Sequence, residues 1–250
     1  MKIYRYLLDV VKKKGAGYLV LVDPDTRRGD DLAIFVDRLN GSGVDAVLVG
    51  GSLLVDSSFQ ECVRIVKEHS DIPVIIFPGS VKQVSGDADA ILFISLISGR
   101  NPYYLFGEHV IAAPMIKRLG LEVISTGYML VESGRMTTAE YISNTKPLPS
   151  DKPEIAMAHA LAAQYMGMKM VYLEAGSGAD RSVPEEMIKS VKSYIDIPVI
   201  VGGGIRTPED ARKKVMVGAD FVVTGNILND NDNIDLIREF AEAVHFKKRG

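Results

Sequence analysis

The sequence lacks a second cysteine, since Cys62 is the only one in 250 residues, and no disulfide can therefore form within the chain. A lone cysteine in an apolar periodic segment is typical of a small buried residue in a reducing compartment. The chain also lacks any apolar run that approaches the roughly 20 residues of a membrane-spanning helix. Its first residues, which include Asp9, do not resemble a secretory signal. We therefore expect a cytoplasmic protein.

An excess of charge of one sign is also missing. Lys and Arg number 29 and Asp and Glu number 32, so the formal net charge is −3. Such a chain has no general attraction for a polyanion, and we expect no nucleic-acid partner. Its histidines do not form the clusters that transition-metal sites or hydrolytic triads require. We expect each of them to be a surface or packing residue: His69, His109, His159 and His245.

What the chain does contain is a series of short runs rich in Val, Ile and Leu. Eight of them predict strands, at 18–22, 45–49, 73–77, 90–94, 121–126, 170–173, 197–201 and 220–223. Continuous apolar runs are typical of parallel strands buried on both faces. We therefore predict an α/β protein whose single domain, residues 1–250, is a (β/α)₈ TIM barrel. An open doubly wound sheet is the alternative.

Helical periodicity separates nearly all of these runs, and the exception lies between the third and the fourth. Residues 81–88 are too few and too polar for a full helix, so the third helix should be short or replaced by a loop. Residues 127–150 show no sustained period and contain several glycines and prolines. Loops of that length in compact domains are usually functional or mobile.

The stretch after the sixth predicted strand is the most informative for function. Glu174 falls where the apolar run ends, and Gly176 and Gly178 allow another backbone to approach closely. A carboxylate beside open backbone amides can form a site for a polar ligand. A tight surface turn with a solvated glutamate is the alternative.

Glycines also follow the seventh and eighth predicted strands, where TIM barrels often bind phosphate. Gly203 and Gly204 can present backbone N–H groups to a phosphate dianion, and so can Gly225 with Asn226. Glycine after a strand often serves tight turning alone. The two motifs occupy corresponding positions in consecutive units, however, and this favours phosphate binding.

A metal site is predicted at the ends of the first two strands. Pro24 stops the first strand and leaves Asp23 at its carboxyl end, and Ser52 follows the second strand. A carboxylate and a hydroxyl at neighbouring strand ends can hold Mg²⁺ when substrate phosphates complete its shell. In the alternative interpretation, Asp23 only caps the turn before the next helix.

Several motifs along nearly the whole chain resemble those of the geranylgeranylglyceryl phosphate synthases and their bacterial relatives. The most specific is Tyr-Leu-Glu-Ala-Gly-Ser-Gly at 172–178, because phosphate-binding glycines recur in many unrelated barrels. The others are Val-Asp-Pro-Asp at 22–25, Val-Gly-Gly-Ser at 49–52, Phe-Pro-Gly at 77–79, Asn-Pro-Tyr at 101–103, Gly-Tyr at 127–128, Thr-Lys-Pro at 145–147, Gly-Gly-Gly-Ile-Arg at 202–206 and Thr-Gly-Asn at 224–226.

The resemblance implies a prenyltransferase of ether-lipid biosynthesis. Such an enzyme transfers a prenyl group, such as geranylgeranyl, from its diphosphate to the 3-hydroxyl of sn-glycerol 1-phosphate, with Mg²⁺ and release of diphosphate. By this resemblance Glu174 and Asp23 are the catalytic residues, and Asp23 and Ser52 hold Mg²⁺. The residues implied in substrate binding are Tyr172, Leu173, Glu174, Ala175, Gly176, Ser177, Gly178, Gly203, Gly204, Gly225 and Asn226.

Further expectations concern the prenyl diphosphate. An apolar groove should hold the tail, with candidates Tyr103, Tyr104, Leu105, Phe106, Tyr128, Met129 and Leu130. The cation that meets the diphosphate is open between the Thr26-Arg27-Arg28 segment and Arg100. Glu174 is expected to orient the acceptor hydroxyl rather than to act mainly as a base. The resemblance also implies a homo-oligomer, a dimer or hexamer, and the lipid product allows peripheral contact with a membrane.

Two other functions agree with the same motifs. One is a phosphate-binding barrel isomerase of amino-acid biosynthesis, which shares the glycine loops but needs an acid and a base on opposite strands. The other is a non-catalytic barrel that binds a phosphorylated ligand. Activity without Mg²⁺ would favour the first, and binding without turnover the second.

Overall fold

In the computed structural model, which describes residues 2–55, 58–225 and 234–246, eight parallel strands close into a barrel. The strands are β1 Gly17–Val22, β2 Ala46–Val49, β3 Val74–Ile76, β4 Ala90–Leu96, β5 Glu122–Leu130, β6 Met170–Glu174, β7 Val199–Gly202 and β8 Phe221–Thr224. Each strand pairs with the next along the chain, and β8 pairs with β1. The predicted TIM barrel is confirmed, and the open-sheet alternative is wrong.

Helices surround the barrel in the described residues. They are α1 Lys2–Lys14, α2 Gly29–Leu39, α3 Phe59–His69, α4 Glu108–Leu119, α5 Thr138–Ser143, α6 Pro153–Tyr165, α7 Glu185–Lys192, α8 Pro208–Met216 and α9 Ile234–Val244. A π-helical turn, Tyr103–Gly107, leads into α4. Residues 77–89 join β3 to β4 without a helix. This confirms the prediction that the helix after β3, the third of the repeating units, is replaced by a loop. No helix in these ranges is both long and apolar enough to span a bilayer.

Helix α1 precedes the barrel and was not among the predicted elements. Its buried residues Ile3, Leu7 and Val10 follow helical spacing, so one face is apolar. Ile3 and Leu7 pack with side chains of the barrel interior, including Leu19. The helix therefore closes the amino-terminal end of the barrel and leaves the carboxyl ends of the strands open for a site.

Two apolar layers make up the core, and strand alternation assigns each side chain to one of them. Side chains such as Leu48 and Tyr172 fill the barrel interior. Their neighbours Val47 and Leu173 lie in the outer layer, between the strands and the helices. Each fully buried side chain of this kind stabilises the fold by roughly 1.5–3 kcal/mol. The alternation also decides which side chains at the strand ends can reach an interior cavity.

The segment 127–150 is more ordered than its sequence indicates. Strand β5 continues through Leu130, because Tyr128 pairs with Tyr172 and Leu130 with Glu174 on β6. Val131 then forms a bridge with Leu148, and α5 lies between them in sequence. The prediction of a wholly irregular segment is therefore wrong, since pairing with a distant strand outweighs the weak local periodicity.

Candidate active site

A cavity of about 460 Å³ lies at the carboxyl ends of the strands and takes lining residues from all sides of the barrel. Most of the predicted site residues line it: Asp23, Ser52, Tyr172, Glu174, Gly176, Ser177, Gly178, Gly203, Gly204 and Gly225. Leu173 and Ala175 do not, because alternation turns their side chains into the outer layer. Asn226 lies outside the described residues. The structure thus brings strand ends from distant parts of the sequence to one cavity.

Glu174 is the buried carboxylate of this cavity. Its side chain is only 6% exposed, and one oxygen accepts a 2.6 Å hydrogen bond from the backbone N–H of Gly176. Burial raises the pKa of Glu174 to about 7, against the opposing hydrogen bonds from Gly176 and the Tyr172 hydroxyl. The carboxylate can therefore hold a hydroxyl group and exchange a proton near neutral pH.

Two glycine turns face this carboxylate. Gly203 has a φ of +80°, and a β-carbon there would lie 2.3 Å from Oε1 of Glu174 and 2.5 Å from the nitrogen of Gly176. Gly176 itself has a φ of +99°, and a β-carbon there would lie 2.2 Å from Thr137. Only glycine satisfies both the left-handed backbone and the close contact at these positions. Backbone amides can consequently approach an anion beside Glu174 without side chains between them.

Asp23 lies at the end of β1, which is two strands around the barrel from β7 and three from β6. Its carboxylate accepts a 3.0 Å hydrogen bond from the backbone N–H of Asp25 and lies against Gly51. Burial raises the pKa of Asp23, with a smaller raising contribution from the charge of Asp25 and an opposing one from the Asp25 hydrogen bond. Ser52 is exposed on the same side of the cavity.

Asp23 and Ser52 fit a metal ion whose other ligands come from water and substrate. In the described ranges no three side chains of His, Cys, Asp or Glu come together as a metal cluster. A single carboxylate with a hydroxyl is too few ligands for a cage made by the protein alone. It does suit Mg²⁺, which keeps waters and is commonly shared between one or two carboxylates and substrate phosphates.

The cavity continues as an apolar arm between the β3–β4 loop and α4. Its lining comprises Val81, Val84, Ile91, Phe93, Ile94, Leu96, Tyr104, Ala112 and Ile116. Ile91 and Phe93 belong to the outer layer, so the arm leaves the barrel where other βα units have a helix. The loop that replaces the third helix therefore creates space for an apolar ligand.

Only some of the residues predicted to form the apolar groove line this cavity. Tyr104, Tyr128 and Leu130 line the cavity. Tyr103, Leu105, Phe106 and Met129 are not among its lining residues; Tyr103 and Phe106 are exposed, and Met129 is buried in the outer layer.

His109, which was expected to be a surface or packing residue, packs against two aromatic rings and also faces the cavity. It lines the cavity, with the Phe93 ring 4.5 Å and the Phe106 ring 6.4 Å from its own. Burial lowers the pKa of the imidazole, against raising contributions from nearby backbone and Glu108, and this favours the neutral form. Its helical spacing to Ala112 and Ile116, i, i+3 and i+7, is the signal that could have found it.

None of the three arginines proposed for the diphosphate, Arg27, Arg28 and Arg100, is among the residues that line the cavity. Arg28 lies 3.7 Å from Asp25. Arg27 approaches Asp31 and the ring of Phe35. Arg100 donates a 2.7 Å hydrogen bond to the carbonyl of Gly99. Among the described residues, Arg206 is the Arg or Lys that lines the cavity, and its guanidinium donates to the carbonyl of Ala179 at 3.0 Å.

Comparison with known proteins gives one family and close relatives. The model of the PcrB family matches residues 8–244. A geranylgeranylglyceryl phosphate synthase of Chitinophaga pinensis is 48% identical over 244 residues, which cover 98% of this chain and 96% of that protein. One from Thermococcus gammatolerans is 43% identical over 245 residues, covering 98% and 96%.

A solved structure is similar over nearly the full length as well. It is (S)-3-O-geranylgeranylglyceryl phosphate synthase from Thermoplasma acidophilum in complex with the substrate sn-glycerol-1-phosphate. The TM-score is 0.89 and the identity 36%, over 95% of this chain and 97% of that one.

Proposed function

The chain belongs to the PcrB family, and from this membership we propose that it transfers a prenyl group from a prenyl diphosphate to the 3-hydroxyl of sn-glycerol 1-phosphate. Geranylgeranyl diphosphate is the donor we propose first, because the relatives at 40–48% identity carry that name. The enzyme is thus a prenyltransferase of ether-lipid biosynthesis. The near full-length relatives favour this function over a barrel isomerase or a non-catalytic barrel.

The observation that carries the acceptor assignment is the placement of Glu174 beside the glycine turns. Backbone amides around Gly176–Gly178 and Gly203–Gly204 can hold the phosphate of sn-glycerol 1-phosphate. The glycerol hydroxyl then reaches the carboxylate of Glu174, whose hydrogen bond to Gly176 holds it in place. Because its pKa is about 7, Glu174 can orient the hydroxyl and accept its proton as the new bond forms.

For the donor diphosphate we propose the side of the cavity that carries Asp23. Asp23 and Ser52 would hold Mg²⁺ there together with the diphosphate oxygens. When bound, the ion supplies positive charge that stabilises the leaving diphosphate. Arg206, on the cavity wall, is the side chain that can add positive charge to the anion-binding region.

The prenyl tail would lie in the apolar arm. A tail of this kind gains roughly 25 cal/mol for each Å² of apolar surface removed from water. Phe93, His109 and Ile116 contribute to the wall that would cover it. A neutral imidazole suits such a wall, and burial, which lowers the pKa of His109, favours that form.

Product formation tests the proposal directly. The purified full chain is incubated with radiolabelled sn-glycerol 1-phosphate, Mg²⁺ and prenyl diphosphates of 10 to 35 carbons, about two to seven isoprene units chosen to span the arm. Organic extraction then recovers labelled lipid, and parallel reactions contain EDTA. We expect label in the organic phase with one preferred donor and none with EDTA. Absence of extractable label with every donor would overturn the proposed function.

We also propose a homo-oligomer, a dimer or hexamer. Large apolar side chains on the outside support it, since Tyr165 is 78%, Met166 73% and Ile111 57% exposed. Light scattering at several protein concentrations measures the mass in solution.

Cytoplasmic location with peripheral membrane contact is a further proposal, supported by the amphiphilic character of the product, and fractionation of cells tests it.

A further inference from the structure

Phe77 lies between the part of the cavity that carries Asp23 and Ser52 and the part that carries Glu174. Its backbone N–H donates to the carbonyl of Val49 at 2.9 Å, and its carbonyl lies where a β-carbon on Gly50 would be. The backbone of Phe77 is thus fixed to the strand that leads to Ser52. Its ring stacks on that of Tyr172, with centroids 5.2 Å apart and planes 16° apart. One residue therefore spans from the proposed metal side to the strand that carries Glu174.

A second ring completes the cluster. Tyr128 meets Phe77 edge-on at 5.7 Å and Tyr172 edge-on at 5.4 Å. All three rings line the cavity, but Tyr172 is 1% and Tyr128 9% exposed, whereas Phe77 is only partly buried. By these exposures, Phe77 is the member of this cluster that presents most of its surface to a ligand. Tyr172 covers one face of the Phe77 ring.

In the proposed reaction, prenyl transfer develops positive charge on the prenyl group inside the cavity. The bond between C1 of the prenyl group and the diphosphate oxygen breaks, and both electrons leave with that oxygen. The oxygen of the glycerol 3-hydroxyl supplies the electron pair for the new C1–O bond, and its proton passes to Glu174. Between these events C1 and its allylic partner carry cationic character. With the diphosphate at Asp23 and the acceptor at Glu174, as proposed above, C1 would lie between these two groups.

We infer that Phe77 is a catalytic residue whose ring face stabilises the allylic cation, while Tyr172 and Tyr128 hold that ring in place. This inference rests on the proposed function. The face of an aromatic ring carries negative electrostatic potential and attracts a cation, more strongly where water is excluded. A phenylalanine suits the position of contact because it has no hydroxyl that the cation could alkylate. The hydroxyl of Tyr172 is engaged with Glu174.

The test replaces Phe77, in the full chain, by phenylalanines with one, two and three ring fluorines. Fluorine withdraws electron density from the ring face with little change in shape, so packing on Tyr172 is retained. We expect the single-turnover rate with Mg²⁺ to fall stepwise, by about 3- to 30-fold over the series. The KM for prenyl diphosphate should change less than about twofold, since the ground state carries no cation.

Phe221 provides the matched control. It is buried in the barrel interior, is paired with Gly17 at the start of β1 and does not line the cavity. The same fluorinated residues at position 221 should leave the single-turnover rate unchanged. Thermal unfolding of each variant measures whether the substitution has altered the fold, and Phe77→Leu, which keeps apolar packing without a ring, should be at least as slow as the trifluoro variant.

The outcomes separate the two proposals. Equal rates across the fluorine series, with an active unmodified protein, would overturn the role of Phe77 and leave the prenyltransferase function intact. A Phe77→Leu variant as fast as the unmodified protein would do the same. No prenyl ether from the unmodified protein would overturn the proposed function, and this inference with it.

Discussion

Gly203 lies so close to Glu174 that a β-carbon on the glycine would be 2.3 Å from Oε1 of the carboxylate. The glycine turn after β7 and the acid at the end of β6 are therefore parts of one arrangement. Neither can change its shape without moving the other.

Gly203→Ala should disrupt this arrangement and lower kcat/KM for sn-glycerol 1-phosphate by about 10-fold or more, since 1.36 kcal/mol of lost stabilisation is tenfold. Gly167→Ala is the matched control, because Gly167 has a φ of +81° but nothing within 4 Å of an added β-carbon. Both variants carry the roughly 1–2 kcal/mol strain of a left-handed alanine, and only the first crowds the carboxylate. Steady-state kinetics and thermal unfolding compare them. Equal kinetics would contradict the assignment.

Glu174→Gln should lower kcat/KM for the acceptor by about 10²–10³-fold, because the amide holds a hydroxyl less firmly and takes no proton. In the unmodified enzyme kcat should rise with pH through about 7, as the carboxyl group loses its proton. That limb should be missing from the profile of Glu174→Gln. Rates measured from pH 5.5 to 9, a range of about 1.5 to 2 units around that pKa, give both profiles. A limb that persists in the variant belongs to another group.

The buried acid should also cost stability at high pH. Its pKa is raised in the folded state, so the folded protein binds more protons than the unfolded chain between 4.5 and about 7. Stability therefore falls as pH rises through that window, by up to roughly 3 kcal/mol. Glu174→Gln should be more stable than the unmodified protein at pH 8 and lose this advantage near pH 4.5. Urea unfolding at both pH values measures the difference, and a constant difference would contradict the raised pKa.

Asp23→Asn should raise the Mg²⁺ concentration for half-maximal activity by about 10-fold or more, because a neutral amide is a weaker ligand for a hard cation. Ser52→Ala should have a smaller effect, since water can replace a hydroxyl ligand. Mg²⁺ titrations at saturating substrates compare the two variants. KM for sn-glycerol 1-phosphate should stay nearly constant in both. An unchanged Mg²⁺ response in Asp23→Asn would remove this residue from the metal site.

Much of the site could be predicted from local sequence. Asp23, Glu174 and Gly203 each stand at or directly after the end of an apolar run, and in a parallel barrel all such ends meet at one face. The direction in which each side chain points was harder to predict from the sequence. Leu173 and Ala175 belong to the most specific motif, yet alternation along β6 turns both away from the cavity.

Local sequence was enough to predict the barrel, the loop that replaces a helix after β3 and the strand ends that form the site, because apolar runs and glycine turns act over a few residues. Two relationships follow only from the folded chain: Arg206 lines the cavity in place of the predicted arginines, and Phe77 stacks on Tyr172. Those relationships depend on strand register and on contacts across the barrel. Such contacts join residues far apart in the chain, and no local pattern specifies them.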